Sequence, residues 1–175
     1  MISIGIDSSL TGTGVVVLKD SKIIKHELIK SKPFGKRPID EINRINKIIK
    51  EIRDIIIDEY SPDIAVIEGM AYLAKSTSLV QLSYLNYSIR SMLVENNIQF
   101  LIVAPTTLKR FLTGSGKSEK DHIILEVYKQ YGLDFVDNNV ADAAVLSKIG
   151  MTMLGKNKPK AKYQEETIEL LRKQQ

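Results

Sequence analysis

The chain has 175 residues, 43% hydrophobic and 26% charged, which fits one globular domain able to bury a substantial core. No apolar run approaches the roughly 18 residues of a membrane span, and Met1 leads straight into a strand-like segment, so neither a span nor a signal peptide is expected and the cytoplasm is the default location. Cysteine is absent and histidines number two, which excludes disulfides, thiolate zinc sites and cysteine nucleophiles and leaves oxygen ligands for any metal; the formal charge of +4 leans toward a polyanionic partner.

Residues 2 to 7, ISIGID, alternate isoleucine with Ser3, Gly5 and Asp7, the period-two pattern of a half-buried strand that turns Ile2, Ile4 and Ile6 to the core. SSLTGTG is turn chemistry. VVVL and KIIKHELI follow, separated by KDSK, and complete an antiparallel meander of three strands. After a loop at Pro33 and Gly35, isoleucines at 42, 45, 48, 49, 52, 55 and 56 predict an amphipathic helix from about 39 to 60. Ser61-Pro62-Asp63 ends it, and IAVIE over 64–68 reads as a strand covered on both faces. A helix over about 76–97, a strand over 99–103 and a short helix from Pro105 through Leu112 come next. TGSGK is a basic loop. Ser118 is the expected N-cap of a helix running to Tyr131, with Gly132 as its C-cap. The last core helix runs from near Asp137 through Met153. These elements predict an α/β domain over residues 1–155, built on a five-stranded mixed sheet, three antiparallel strands then two parallel, with helices on both faces. Residues 156–175 form a basic C-terminal tail, opened by KNKPKAK, in which TIELLRK is compatible with a short amphipathic helix.

Three acids stand out against this pattern. Asp7 closes ISIGID, Glu68 closes IAVIE and Asp142 interrupts VADAAVL, so each carboxylate sits on an element whose neighbours predict burial. Three carboxylates about 5 Å apart would repel by roughly 3 kcal/mol per pair at an effective dielectric of about 20, and either protonation or a bound cation must relieve this. Mg²⁺ or Mn²⁺ prefers such an oxygen-only shell. Each acid also has a local explanation: Asp7 before Ser8 and Ser9 can start a turn, and Glu68 before Gly69 can be an exposed strand end. Asp142 is poorly placed for capping. Asn139, one helical turn before it, either shares its face or belongs to the helix N-terminus, with Asp137 or Asn138 as cap.

The segments GIDSSLTGTGVVV, VIEGMAYLAKSTSLVQL, APTTLKRFLTGSGKSEKDHI and NNVADAAVL, in that order over about residues 1–155, resemble the RuvC family of Holliday-junction resolvases, which have an RNase H-like fold. The resemblance implies a Mg²⁺-dependent, structure-selective endonuclease with two ions per active site, Mn²⁺ being able to substitute. It implies a homodimer that nicks two opposed strands of a four-way DNA junction symmetrically, leaving 5′-phosphate and 3′-hydroxyl ends. Matched position by position, Asp7, Glu68 and Asp142 are the catalytic, metal-holding acids of the first strand, the strand after the long helix and the final helix. Bacterial members usually carry a second aspartate three residues before the last acid. Here Asn139 takes that place, with a carbonyl that can bind Mg²⁺ without adding charge.

Lys109 and Lys120 match positions that meet the DNA backbone, and Lys117 lies in the glycine-rich loop between them, where a long cation suits phosphate contact. The family places an aromatic three residues after the Glu68 position; Ala71 stands there, with Tyr72 next as the candidate DNA contact. The helix from Ser76 matches the one through which family dimers associate, although Leu79, Leu82, Tyr84 and Leu85 also suit a core. The compact chain and Asn139 are compatible with a phage-type member. Two other readings stay open: a broader branched-DNA or RNA/DNA-hybrid nuclease of the same fold, and a non-catalytic junction-binding protein.

Overall fold

The computed structural model describes residues 1–70, 77–132, 134 and 137–174. Strands β1 (Ile2–Asp7), β2 (Gly12–Lys19) and β3 (Lys22–Lys30) form the antiparallel meander. Strands β4 (Ile64–Glu68) and β5 (Phe100–Val103) add in parallel on the free side of β1, giving the order β3-β2-β1-β4-β5. The link between β2 and β3 is the two residues Asp20 and Ser21, with φ of 47° and 73°, the left-handed pair that a tight hairpin turn requires. The expected α/β architecture of three antiparallel and two parallel strands is the observed one.

Helix α1 (Pro38–Arg53) runs on into a π-helical segment over Asp54–Tyr60, so the isoleucine stripe is continuous but the winding widens near its end. Ser61, at φ 44°, closes that segment by donating its N–H to the Ile56 carbonyl at 2.9 Å. The remaining helices are α2 (Thr77–Glu95), α3 (Pro105–Thr113), α4 (Lys120–Tyr131), α5 (Asn138–Met153) and α6 (Lys162–Arg172). One sheet face carries α1 and α2 over a core of Ile4, Ile6, Val15, Val17, Ile45, Ile52, Leu85 and Ile89. The other carries α3, α4, α5 and α6 over Val16, Leu18, Val66, Phe111, Val127 and the apolar residues of α5. Among the described residues no helix is long and apolar enough to cross a membrane.

Two sequence expectations change. The alternating β1 reads as half-buried, yet its small-residue face is as covered as the isoleucine face, because Ser3 and Gly5 lie beneath α5. Ser118 does not cap α4; the N-cap is Glu119. The Ser118 hydroxyl instead lies 2.7 Å from Thr113 Oγ1 and 3.1 Å from the Ser115 carbonyl, closing the 113–118 loop on itself.

Helix α5 is buried along nearly its whole length. A Cβ on Gly5 would stand 1.9 Å from the Ala143 carbonyl oxygen, and one on Gly14 2.1 Å from that of Asn139. The α5 backbone therefore rests directly on β1 and β2. The segment after Gly155 returns to this layer: α6 packs on α3 and α5, with Ile168 and Leu171 in the shared core and Gln164 Nε2 donating to the Phe111 carbonyl at 3.2 Å.

Gly5→Ala should lower unfolding stability by at least about 2 kcal/mol, since the new methyl meets backbone that cannot rotate away. Urea unfolding followed by circular dichroism measures it. An unchanged midpoint would show that α5 can ride higher on the sheet.

Candidate active site

The parallel register of β1 and β4 pairs Ile6 with Ile67, so Asp7 and Glu68 follow side by side at the carboxyl ends of adjacent strands. Strand ends in open α/β sheets are where ligands usually bind. Asp7 is 6% exposed, and it shares a side-chain hydrogen bond with Glu68. Asp142 projects from the N-terminal part of α5, close enough to both acids to be felt electrostatically. The sequence-predicted triad thus converges from two strands and a helix.

Burial is the largest cause of the perturbed acidity of all three. Asp7 is raised well above its ordinary value by desolvation, then by the Glu68 charge and hydrogen bond and by Asp142. Glu68 is raised by desolvation, with Lys109 and Lys120 acting against it. Asp142 is raised to about 7 by desolvation and the Glu68 charge, again opposed by those two lysines. Lys109 on α3 is half-buried and Lys120 opens α4 in solvent, yet both lie within electrostatic range of the acids. Lys117 is exposed on the 113–118 loop, and Tyr72 lies outside the described residues.

Asn139 does two things at the start of α5. Its backbone N–H donates to the Asp137 cap at 2.8 Å, and its side-chain Nδ2 donates to the Gly12 carbonyl on β2. The amide oxygen is the atom left over. An aspartate here would set a carboxylate against the Gly12 carbonyl, so the amide holds the helix end where an acid would repel it.

The turn after β1 is fixed from several sides. Thr13 Oγ1 donates to the Ser9 carbonyl at 2.8 Å, and Arg44 of α1, buried, donates to the Leu10 carbonyl and to Ser31 Oγ. Turn chemistry and a helix stripe in the sequence give no hint of that arginine.

A family model described as crossover junction endodeoxyribonuclease RuvC matches residues 3–147. Relatives bearing that same description include one from Rickettsia bellii, 32% identical over 71% of this chain and 78% of the relative, and one from Rickettsia prowazekii, 31% identical over 84% and 94%. The chain belongs to the RuvC family. The structure of RuvC from Thermus thermophilus superposes with a TM-score of 0.71 at 19% identity, covering 91% of this chain and 99% of that one, which establishes a shared RNase H-like fold. A second structure of the Thermus thermophilus protein is in complex with Holliday junction substrate.

A second buried polar residue of this RuvC-family chain stands out only in the structure. Asn86 of α2 is 0% exposed, and its Nδ2 reaches Ser8 Oγ at 3.1 Å and the Glu68 carbonyl at 3.3 Å. Its Oδ1 is buried without a partner. The signal was an amide in step with the apolar positions Leu82, Ile89 and Leu93. Asn86 braces the ends of β1 and β4 from behind the acids.

Among the described residues, no group of three or more His, Cys, Asp and Glu side chains is arranged as it stands to hold a metal ion. The Asp7–Glu68 pair is closed by its own hydrogen bond. The donor chemistry nevertheless suits a hard divalent cation: three carboxyls whose charge burial leaves uncompensated, and a spare amide oxygen at Asn139.

The raised acidities set the sign of a pH dependence. A carboxyl whose folded pKa lies above its unfolded value favours the folded state when protonated, and that stability is lost as pH rises through the folded value. For Asp142 the window runs from its ordinary 3.8 to about 7. In EDTA the melting temperature should fall across that window, by on the order of 5 °C, and added Mg²⁺ should restore it at the upper end. Thermal melts from pH 4.5 to 8 test this, with Asp142→Asn expected to flatten the profile; a flat wild-type profile would refute the clustering of uncompensated charge.

Proposed function

We propose that this chain resolves four-way DNA junctions by metal-dependent phosphodiester hydrolysis, nicking two opposed strands symmetrically, with Asp7, Glu68 and Asp142 as the catalytic metal ligands. The observation that carries the reading is the buried, mutually repelling carboxyl cluster at the ends of β1 and β4, in a chain whose family match spans residues 3–147. These acids would hold Mg²⁺, with Mn²⁺ able to replace it and two ions per site, and the metal would supply activation of a water and neutralisation of charge on the leaving oxygen.

The chain's own residues prepare that chemistry. Asp7 and Glu68 would hold a cation from the ends of β1 and β4, the cation taking over the role of their mutual hydrogen bond. Asp142 faces them from α5, and the amide oxygen of Asn139 would be an uncharged fourth donor. Ser8, Asn86 and Arg44 fix the backbone around the acids, so the ligands are held by packed elements rather than by loops. Lys109 and Lys120 already offset the negative cluster and draw the scissile phosphate toward it, and Lys117 extends the basic rim along the strand. Residues 1–155 form the nuclease unit and 156–175 a basic extension of it.

A homodimer places two such centres on the two halves of a symmetric junction. Helix α2 supports it. Val80, Tyr84, Tyr87 and Val94 stand exposed at helical spacing, and the Arg90 guanidinium covers the Tyr87 ring at 4.7 Å. The cell interior is the setting that such a DNA substrate requires.

Asp7→Asn and Glu68→Gln should each reduce nicking of a synthetic four-way junction in Mg²⁺ by more than about a hundredfold, while junction binding in EDTA is kept, because both remove negative charge facing phosphate. Parallel assays on three-way, flap and RNA/DNA-hybrid substrates define selectivity. Wild-type cleavage retained in Asp7→Asn, or no paired nicks in the wild type, would sink the proposal. Sedimentation velocity addresses the dimer: Tyr84→Glu/Tyr87→Glu should sediment as a monomer where the wild type is a dimer, and identical profiles would place the interface elsewhere.

A further inference from the structure

Two adjacent cavities, sharing Gln130, Tyr131 and Lys148, lie at the end of the sheet opposite the acids. The pairing of Ile2 with Lys19 puts the β2–β3 turn beside the start of β1, whereas Asp7 is at its other end. The larger cavity, about 350 Å³, is bounded by Leu18, Ser21, Lys22, Ile23, Tyr131 and Lys148. The smaller, about 80 Å³, shares Tyr131 and Lys148 and adds Asn157, Lys158 and Lys160.

Four lysines therefore border this space, and no aspartate or glutamate does, among the described residues. None of the four has a carboxylate within ion-pair distance among the described residues. Lys148 is the central one. It is half-buried, its Nζ lies 3.3 Å from the Ser21 carbonyl and 5.4 Å above the Tyr131 ring, and its pKa is lowered by burial and by the neighbouring Lys160 charge. A partly desolvated ammonium beside a second cation is left to one carbonyl and one ring face, an arrangement that an anion would relieve. Asn157 borders the smaller cavity, and its amide pairs with Ser21 Oγ at 2.5 Å.

The two cavities differ in character. The smaller gathers Lys148, Lys158 and Lys160, cations suited to a phosphate. The larger offers Leu18, Ile23 and the Tyr131 ring, surfaces on which a flat heterocycle can rest, in a volume typical of small-molecule sites. We propose that the two cavities together form a nucleoside-phosphate site, with the phosphate among Lys148, Lys158 and Lys160 and the base against Leu18, Ile23 and Tyr131. The site is separate from the carboxyl cluster and needs no metal. A free mononucleotide and the 5′-phosphorylated end of a DNA strand present the same chemistry to it.

Titration calorimetry of the full chain in EDTA tests the site without engaging cleavage. The probes are AMP, adenosine, inorganic phosphate, and dT tetramers with and without a 5′-phosphate. AMP should bind at least about tenfold more tightly than adenosine or inorganic phosphate, since each carries only half of the recognised group. Lys148→Met and Lys160→Gln should each weaken AMP by about tenfold or more; Lys160 is exposed, so its replacement leaves the fold intact. A tetramer bound only when 5′-phosphorylated identifies a DNA end as the source of the phosphate, and AMP bound in preference to either tetramer identifies a free nucleotide. No binding of AMP or of either tetramer, equal binding of AMP and adenosine, or wild-type affinity in both variants would each overturn the proposal. No arm depends on nicking, so its failure would leave the nuclease reading untouched.

Discussion

The carboxyl cluster exists because α5 lies closer to the sheet than any side chain would permit. At Gly5 and Gly14 the helix backbone occupies the space where a Cβ would stand, and Asp142 is thereby brought down to the level of the strand ends that carry Asp7 and Glu68. Were the helix raised by the thickness of an ordinary apolar layer, its acid would stand clear of the other two. Asn139 secures the same contact at the helix start, through Gly12 of β2. The geometry of the site is thus decided in the packing between a strand pair and one helix.

That packing has an electrostatic cost. Desolvation is the largest influence on each of the three acids, ahead of their mutual repulsion. Proximity alone would produce a milder cluster, with ions drawn from solvent to screen it. Burial instead forces a choice between a proton and a metal, and the Asp7–Glu68 hydrogen bond is the protonic solution. Lys109 and Lys120 soften the repulsion without closing the space between the acids, because they act from neighbouring helices.

Much of this was legible in the residues. The β-meander and the isoleucine helix show in their periods and β4 in a short continuous apolar run, whereas the placing of β4 beside β1 is visible only in the pairing. The three acids were visible because each interrupts an apolar run. What was missed depends on tertiary partners. Ser3 and Gly5 look like a solvent-facing side of β1 because small residues carry no hydrophobic signal, yet they are covered for that very smallness. Ser118 has the chemistry of a cap, but its hydroxyl finds Thr113 and Ser115 first. Asn139 reads as a weakened ligand by comparison with aspartate, whereas its Nδ2 has a use that no carboxylate could serve. Arg44 and Asn86 are unremarked polar residues on apolar stripes until the turn after β1 and the end of β4 come to lie against them.

Asn86 has one more consequence. It joins the main chain at Glu68 to α2, the helix whose outer side bears Val80, Tyr84, Tyr87 and Val94. The bond is made to backbone, so it fixes where the strand ends relative to the helix axis whatever the state of the carboxyls. An object gripping the outer side of α2 would therefore hold the chemistry at a set distance, as a jig holds a blade. Spacing between two centres mounted in this way would be a property of stiff helix and strand, insensitive to the motion of any loop.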